Sequence, residues 1–137
     1  MQRSLVGSEM CIRDSNNIKL NIEVRTANLD HISDTDLSMI INNLMDNAFE
    51  SAKKSKEKVI DFSLIRVNNF DILKVSNSCD TPPIDNAHKL LTTKKSKAEH
   101  GLGTRIIEKY AKKNNAEYEW LYENDKKLFI TTIIFKH

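Results

Sequence analysis

Between Ile18 and Ala52 the spacing of apolar side chains changes once, and that change constrains the fold more than any other feature of the chain. Ile18, Leu20, Ile22 and Val24 alternate with polar residues, the period of a strand with one face buried. From Leu37 the period becomes helical. Leu37, Ile40, Ile41, Leu44, Ala48 and Ala52 share one stripe, which runs to about Lys54. Ser33-Asp34-Thr35-Asp36 stands just ahead of it and offers several N-cap residues. A one-sided strand and a one-sided helix each need another element to cover the apolar side, which points to stacked layers.

The rest of the chain continues the alternation of periods. Residues 59–67 and 70–75 are strand-like runs joined by Asn68-Asn69, a hairpin signal. Thr81-Pro82-Pro83 breaks the chain. Residues 87–91 fit a short helix, and residues 92–99 read as a polar, lysine-rich, mobile loop. A second long helix is expected from near Gly101, with Leu102, Ile106, Ile107 and Tyr110 as its buried stripe. Two last strands are expected near residues 117–122 and 127–135, around the turn Glu123-Asn124-Asp125. There is no internal repeat. Clustered hairpins between helices predict an α/β fold: a two-layer α/β sandwich with a mixed sheet and helices on one face.

Composition narrows the function classes. With 137 residues the chain can bury one sizeable core. Its 39% hydrophobic and 29% charged residues read as globular, not disordered. A net charge of +2 gives no reason to invoke a nucleic-acid partner. No apolar run reaches the length of a membrane span. Cys11 and Cys79 lack any metal-binding or disulfide spacing, so they read as reduced thiols, which points to the cytoplasm. Residues 1–15 show neither apolar periodicity nor a secretory pattern. The stretch from Glu9 to Ser15 resembles the conceptual translation of a transposon end used in sequencing-library preparation. Residues 1–15 are therefore expected to be a non-native tail or gene-model artefact, and residues 16–137 the domain.

Four groups of residues could carry chemistry. Asn43 and Asn47 lie one turn apart on the first helix, so both carboxamides share a face at the rim of the core, with Glu50 continuing that edge. Carboxamide oxygens are hard ligands, suited to Mg2+ held mainly by phosphates and water; a solvated polar edge has the same pattern. Gly101-Leu102-Gly103 opens the second helix, where free amides and the helix dipole favour a phosphate, with Thr104 and Arg105 adding a hydroxyl and a charge. A capped helix start would look alike. Thr92, Thr93, Lys94, Lys95 and Lys97 form a cationic segment ahead of those glycines that could close over a nucleotide, or simply be a solvated loop. Asn77-Ser78 follows a strand, where a polar side chain could read the edge of a base or merely end the strand.

In order and spacing these pieces resemble the GHKL superfamily of ATP-binding domains, which includes gyrases and histidine kinases. The run from Leu37 to Ala52 looks like that superfamily's asparagine box, and His100-Gly101-Leu102-Gly103-Thr104-Arg105-Ile106-Ile107 like its second glycine box. The Asn-Ala-x-Glu-x-Ala ending and the histidine before Gly-Leu-Gly are most similar to quorum-sensing and citrate-sensor histidine kinases. The resemblance implies a Bergerat-type ATP-binding fold. It implies Asn47 as a magnesium ligand, with Asn43 holding the metal or a water. It implies phosphate binding by the backbone of Gly101 and Gly103, with Thr93, Lys94, Lys95, His100, Leu102 and Thr104 beside the nucleotide. Asn77 stands where most members place an aspartate that bonds the adenine amino group. The usual Asp-x-Gly-x-Gly is replaced by Asn77-Ser78-Cys79-Asp80. An asparagine can still accept from that amino group through its carbonyl.

The implied activity is transfer of the ATP γ-phosphate to a histidine on separate dimerisation helices of a two-component sensor, with a response regulator downstream. The domain would be the cytoplasmic part of a membrane-bound sensor. His31, His88, His100 and His137 do not read as phospho-acceptors. Two alternatives share the fold: an anti-sigma-factor-type serine kinase, and a non-catalytic nucleotide-binding regulatory module. Fold alone does not choose among them.

Overall fold

The computed structural model describes residues 8–11, 17–82 and 97–136, with the backbone alone for 8–11 and 97–104. Strands β1 (Ser8–Cys11), β2 (Lys19–Arg25), β3 (Val59–Val67), β4 (Phe70–Ser78), β5 (Glu117–Glu123) and β6 (Leu128–Lys136) form one sheet in the order β1-β2-β3-β4-β6-β5. Helices α1 (Asp34–Ala52) and α2 (Lys97–Lys113) cover one face. Among the described residues only β2 and β3 pair in parallel, as a crossover through α1 requires. The β3–β4, β4–β6 and β5–β6 pairs are antiparallel, so the sheet is mixed. This is the two-layer α/β arrangement the alternating periods predict.

The core lies between the layers. Leu20, Ile60, Phe62, Leu73, Val75, Ile133 and Phe135 point from alternate strand positions towards Leu37, Ile40, Leu44, Ala48 and Ala52 of α1 and Ile107 and Ala111 of α2. Of the α1 stripe read from sequence, only Ile41 stays partly exposed. Among the described side chains of α2, Ile107 and Ala111 are buried and Tyr110 packs at the margin; Ile106, expected in the stripe, is only partly buried, and Leu102 is placed as backbone alone.

Helix ends follow their local chemistry. The Ser33 hydroxyl accepts from the Asp36 amide at 3.1 Å and starts α1. At the end of α2, Asn115 takes a left-handed φ of 55°. The Ala116 and Asn115 amides then donate to the Ala111 and Lys112 carbonyls at 2.8 and 3.1 Å, closing the helix as a Schellman motif. The two helices are clipped together at these ends. Asp36 accepts from the Lys113 ammonium at 3.1 Å and from the Asn114 carboxamide at 3.2 Å.

Three features differ from the sequence expectation. β4 runs on to Ser78, because Asn77 and Ser78 still find backbone partners opposite Phe129 and Leu128 of β6. Thus Asn77 lies inside a strand, not after one. Helix α2 begins at Lys97, not near Gly101; Lys97, Ala98 and Glu99 are good helix formers, and the glycines fall within the first two turns. Finally, Ser8–Cys11, within the segment set aside from fold reasoning, pairs antiparallel with Lys19–Ile22 as a short edge strand. Edge pairing uses backbone groups and needs no apolar period. The expected short helix at 87–91 lies outside the described residues.

Candidate functional site

Along α1, Asn43 and Asn47 flank the buried Leu44 and Ala48 and are themselves half-buried. The Asn43 Nδ2 donates to the Met39 carbonyl one turn back at 2.6 Å, so its Oδ1 is the group it can offer outward. Asn47 makes no hydrogen bond to a described residue. Glu50 is turned away from the asparagines, towards Lys53 at 3.2 Å and Lys54 at 3.3 Å. Partial burial pushes its carboxyl up, but the hydrogen bonds and charges of the two lysines outweigh that and hold it below its ordinary value.

At the far end of β4, Asn77 is 3% exposed and sits on the helix-facing side, in register with Leu73 and Val75. Its Nδ2 donates to the Ser78 carbonyl at 3.0 Å. A second oxygen beside that carbonyl would be repelled, so the amide end is fixed there and Oδ1 faces elsewhere as an acceptor. The strand's exit is pinned just beyond: Tyr122 donates its hydroxyl to the Cys79 carbonyl at 2.8 Å, and the Cys79 amide donates to Lys127 at 2.8 Å. The Cys79 thiol is buried against the Thr81 carbonyl, and burial pushes its pKa up, so it stays protonated.

The fold directs these pieces to one end of the molecule. Since Asp36 at the start of α1 holds Lys113 and Asn114 at the end of α2, the helices run antiparallel. The first turns of α2, with Gly101 and Gly103, therefore come towards the C-terminal half of α1, where Asn43 and Asn47 lie. A buried contact joins the turn that follows α1 to the end of β4: Ser55 Oγ meets Ser78 Oγ at 2.6 Å. His100, Gly101, Leu102, Gly103 and Thr104 are placed only as helix backbone, and Thr93, Lys94 and Lys95 lie outside the described residues. In a helix begun at Lys97, the amides of residues 97–99 precede the first intrahelical bond and are free, whereas those of 101 and 103 lie within the helix ladder. The serine pair is the part of this arrangement that the sequence did not disclose: nothing in the spacing of Ser55 and Ser78 signals a contact 23 residues apart.

A metal and a nucleotide can be tested against these groups. Among the described residues no three His, Cys, Asp or Glu side chains gather into a metal cluster. The oxygens available are the carboxamides of Asn43 and Asn47, a sparse neutral set that fits Mg2+ bound chiefly through phosphates and water. A groove of about 350 Å³ lies on the helix-free face, lined by Asn21, Asp61, Ser63, Lys74 and Ser76 among others, and includes none of the candidate residues.

The catalytic domain of the histidine kinase ThkA superposes with a TM-score of 0.57 at 19% identity, over 85% of this chain and 79% of that one. The Acinetobacter baumannii histidine kinase AdeS gives 0.57 at 17%, over 85% and 54%. The blue-light activated histidine kinase of Erythrobacter litoralis gives 0.56 at 15%, over 83% and 53%. The chain thus has the fold of histidine kinase catalytic domains and spans about half of the last two proteins. No curated protein matches the sequence significantly. A GHKL domain signature matches residues 32–136, from the cap of α1 to the end of β6, and the chain belongs to the GHKL domain family.

Proposed function

We propose that residues 16–137 are the ATP-binding catalytic domain of a two-component sensor histidine kinase. The observation that carries this reading is Asn77: a buried carboxamide whose amide end is already bonded and whose oxygen can accept from the adenine amino group. Asn43 and Asn47 would hold Mg2+ at the same end of the molecule, which supplies charge neutralisation at the phosphates when bound. Phosphoryl transfer asks the protein mainly for positioning and charge stabilisation. The half-buried edge of α1 orients the carboxamide oxygens, the core behind Asn77 excludes water from the base, and the first turns of α2 present amides and a positive dipole end towards anionic groups. The lysines of residues 94–97 would cover the phosphates. The acceptor would be a histidine on dimerisation helices, and a response regulator would receive the phosphoryl group. In this reading the domain is the cytoplasmic part of a membrane sensor of the quorum-sensing or citrate-sensing type.

One observation favours a second reading. Asn77-Ser78-Cys79-Asp80 replaces the usual glycine-containing box, and a domain so altered could bind nucleotide as a regulatory module without transferring phosphate. Calorimetric titration with a non-hydrolysable ATP analogue and Mg2+, on the parent and on Asn47→Ala, tests nucleotide binding. The expected result is magnesium-dependent binding in the parent and its loss in a folded Asn47→Ala. Unchanged affinity in the variant removes Asn47 from the site. Binding without transfer of γ-labelled phosphate to added cognate dimerisation helices selects the regulatory reading.

A further inference from the structure

An asparagine facing a base is ambivalent: its oxygen accepts from an amino group, and its nitrogen, turned outward, donates to a carbonyl. In this chain the choice is made by neighbours. Ser55 and Ser78 are 4% and 3% exposed. Each hydroxyl has one proton to donate, and each has a buried acceptor for it. Ser55 Oγ donates to the Ala52 carbonyl at 2.7 Å and accepts from the Lys58 amide at 3.0 Å. Ser78 Oγ accepts from the Val59 amide at 3.0 Å and lies 2.6 Å from Ser55 Oγ; its own proton can go to Ser55 Oγ or to the Val59 carbonyl at 3.4 Å. This buried relay ties the C-terminus of α1 and the start of β3 to the residue whose carbonyl holds Asn77 Nδ2. Consecutive hydrogen bonds in a dry site strengthen one another.

We propose that Ser55 and Ser78 are positioning residues that lock the Asn77 carboxamide with its oxygen outward, so that the site selects a purine bearing an amino group at position six over one bearing a carbonyl. The lock makes a neutral asparagine behave as an acceptor only. This rests on Asn77 meeting the base, as proposed above, and adds what decides its specificity.

Non-hydrolysable analogues of ATP and ITP, titrated with Mg2+ by calorimetry, test the lock, since hypoxanthine carries a carbonyl where adenine carries the amino group. The parent is expected to favour ATP by about tenfold or more. Ser55→Ala and Ser78→Ala should narrow the ratio to within about threefold, while Ser78→Thr, which keeps the hydroxyl, preserves it. Alanine variants that lose affinity for both nucleotides by the same factor would show the hydroxyls serving the fold alone and overturn the proposal. A parent that binds neither nucleotide sinks the adenine reading and the lock together, whereas binding with an unmoved ratio sinks only the lock. Should the alanine variants not fold, Ser55→Cys and Ser78→Cys, which keep the volume but bond weakly, take their place: the ratio should narrow, and an unmoved ratio in folded cysteine variants would refute the lock.

Discussion

Asp71 is the least expected buried group in the molecule, and replacing it tests the packing account directly. It is fully buried on the helix-facing side of β4, two residues before Leu73. Its carboxylate takes a two-pronged contact from Arg66, opposite it on β3, at 3.1 and 3.3 Å. It also accepts from the Asn28 amide, at 3.4 Å, in the segment that leads to α1. Asp71→Ala would remove that amide's acceptor and the buried carboxylate that the Arg66 guanidinium bonds. Breaking a buried pair from one side costs about 3–5 kcal/mol, and the low end applies here because Arg66 can turn towards solvent. With an unfolding entropy of about 2.1 cal/mol/K per residue, a 137-residue chain loses about 10 °C of Tm for about 3 kcal/mol. Calorimetric melting measures it, and amide exchange should show lost protection around residues 28–32. Because Asp71 lies about 20 Å along β4 from Asn77, nucleotide affinity below the melting range should not change. A Tm drop under about 3 °C, or affinity that falls in step with stability, would refute the reasoning.

Two further predictions concern the clip between the helices and the ending of α2 beside it. Partial burial pushes the Asp36 carboxyl up, but hydrogen bonds from Asn114 and Lys113, the Lys113 charge and Ser33 together bring it below its ordinary value of 3.8. Its contribution to stability is therefore complete above that value and is lost as pH falls through the lowered one. Asp36→Asn should flatten the acid limb of Tm against pH below about 4, and an unchanged limb would count against the clip. Asn115→Val places a β-branched residue at φ 55° and should cost about 1–2 kcal/mol in chemical denaturation, whereas Asn115→Gly should be tolerated. Equal stability of the two variants would argue against the Schellman ending.

Periodicity in this chain determined the elements and their buried sides. Alternation at Ile18–Val24 and the stripe from Leu37 to Ala52 depend only on neighbours a few residues apart, so they could be read before any fold was known. The placement of Asn43 and Asn47 at the rim of the core followed for the same reason, as helical spacing alone sets it. The family resemblance also lay in contiguous boxes. What depends on distant pairing could not be read. Asn77 looked like a residue beyond a strand because its partners, Ile60 and Phe129, lie 17 and 52 positions away in sequence, and only the register of β3 and β6 extends β4 to Ser78. Asp71 occupies a position the alternation reserves for an apolar side chain, and partners distant in the fold, the cross-strand Arg66 and the Asn28 amide among them, make its burial tolerable. The Ser55–Ser78 contact has no local signature whatever. Hydrophobic period is a property of the chain, whereas the partners that satisfy a buried polar group are chosen by topology, and topology brought the end of α1, the start of β3 and the end of β4 to one place.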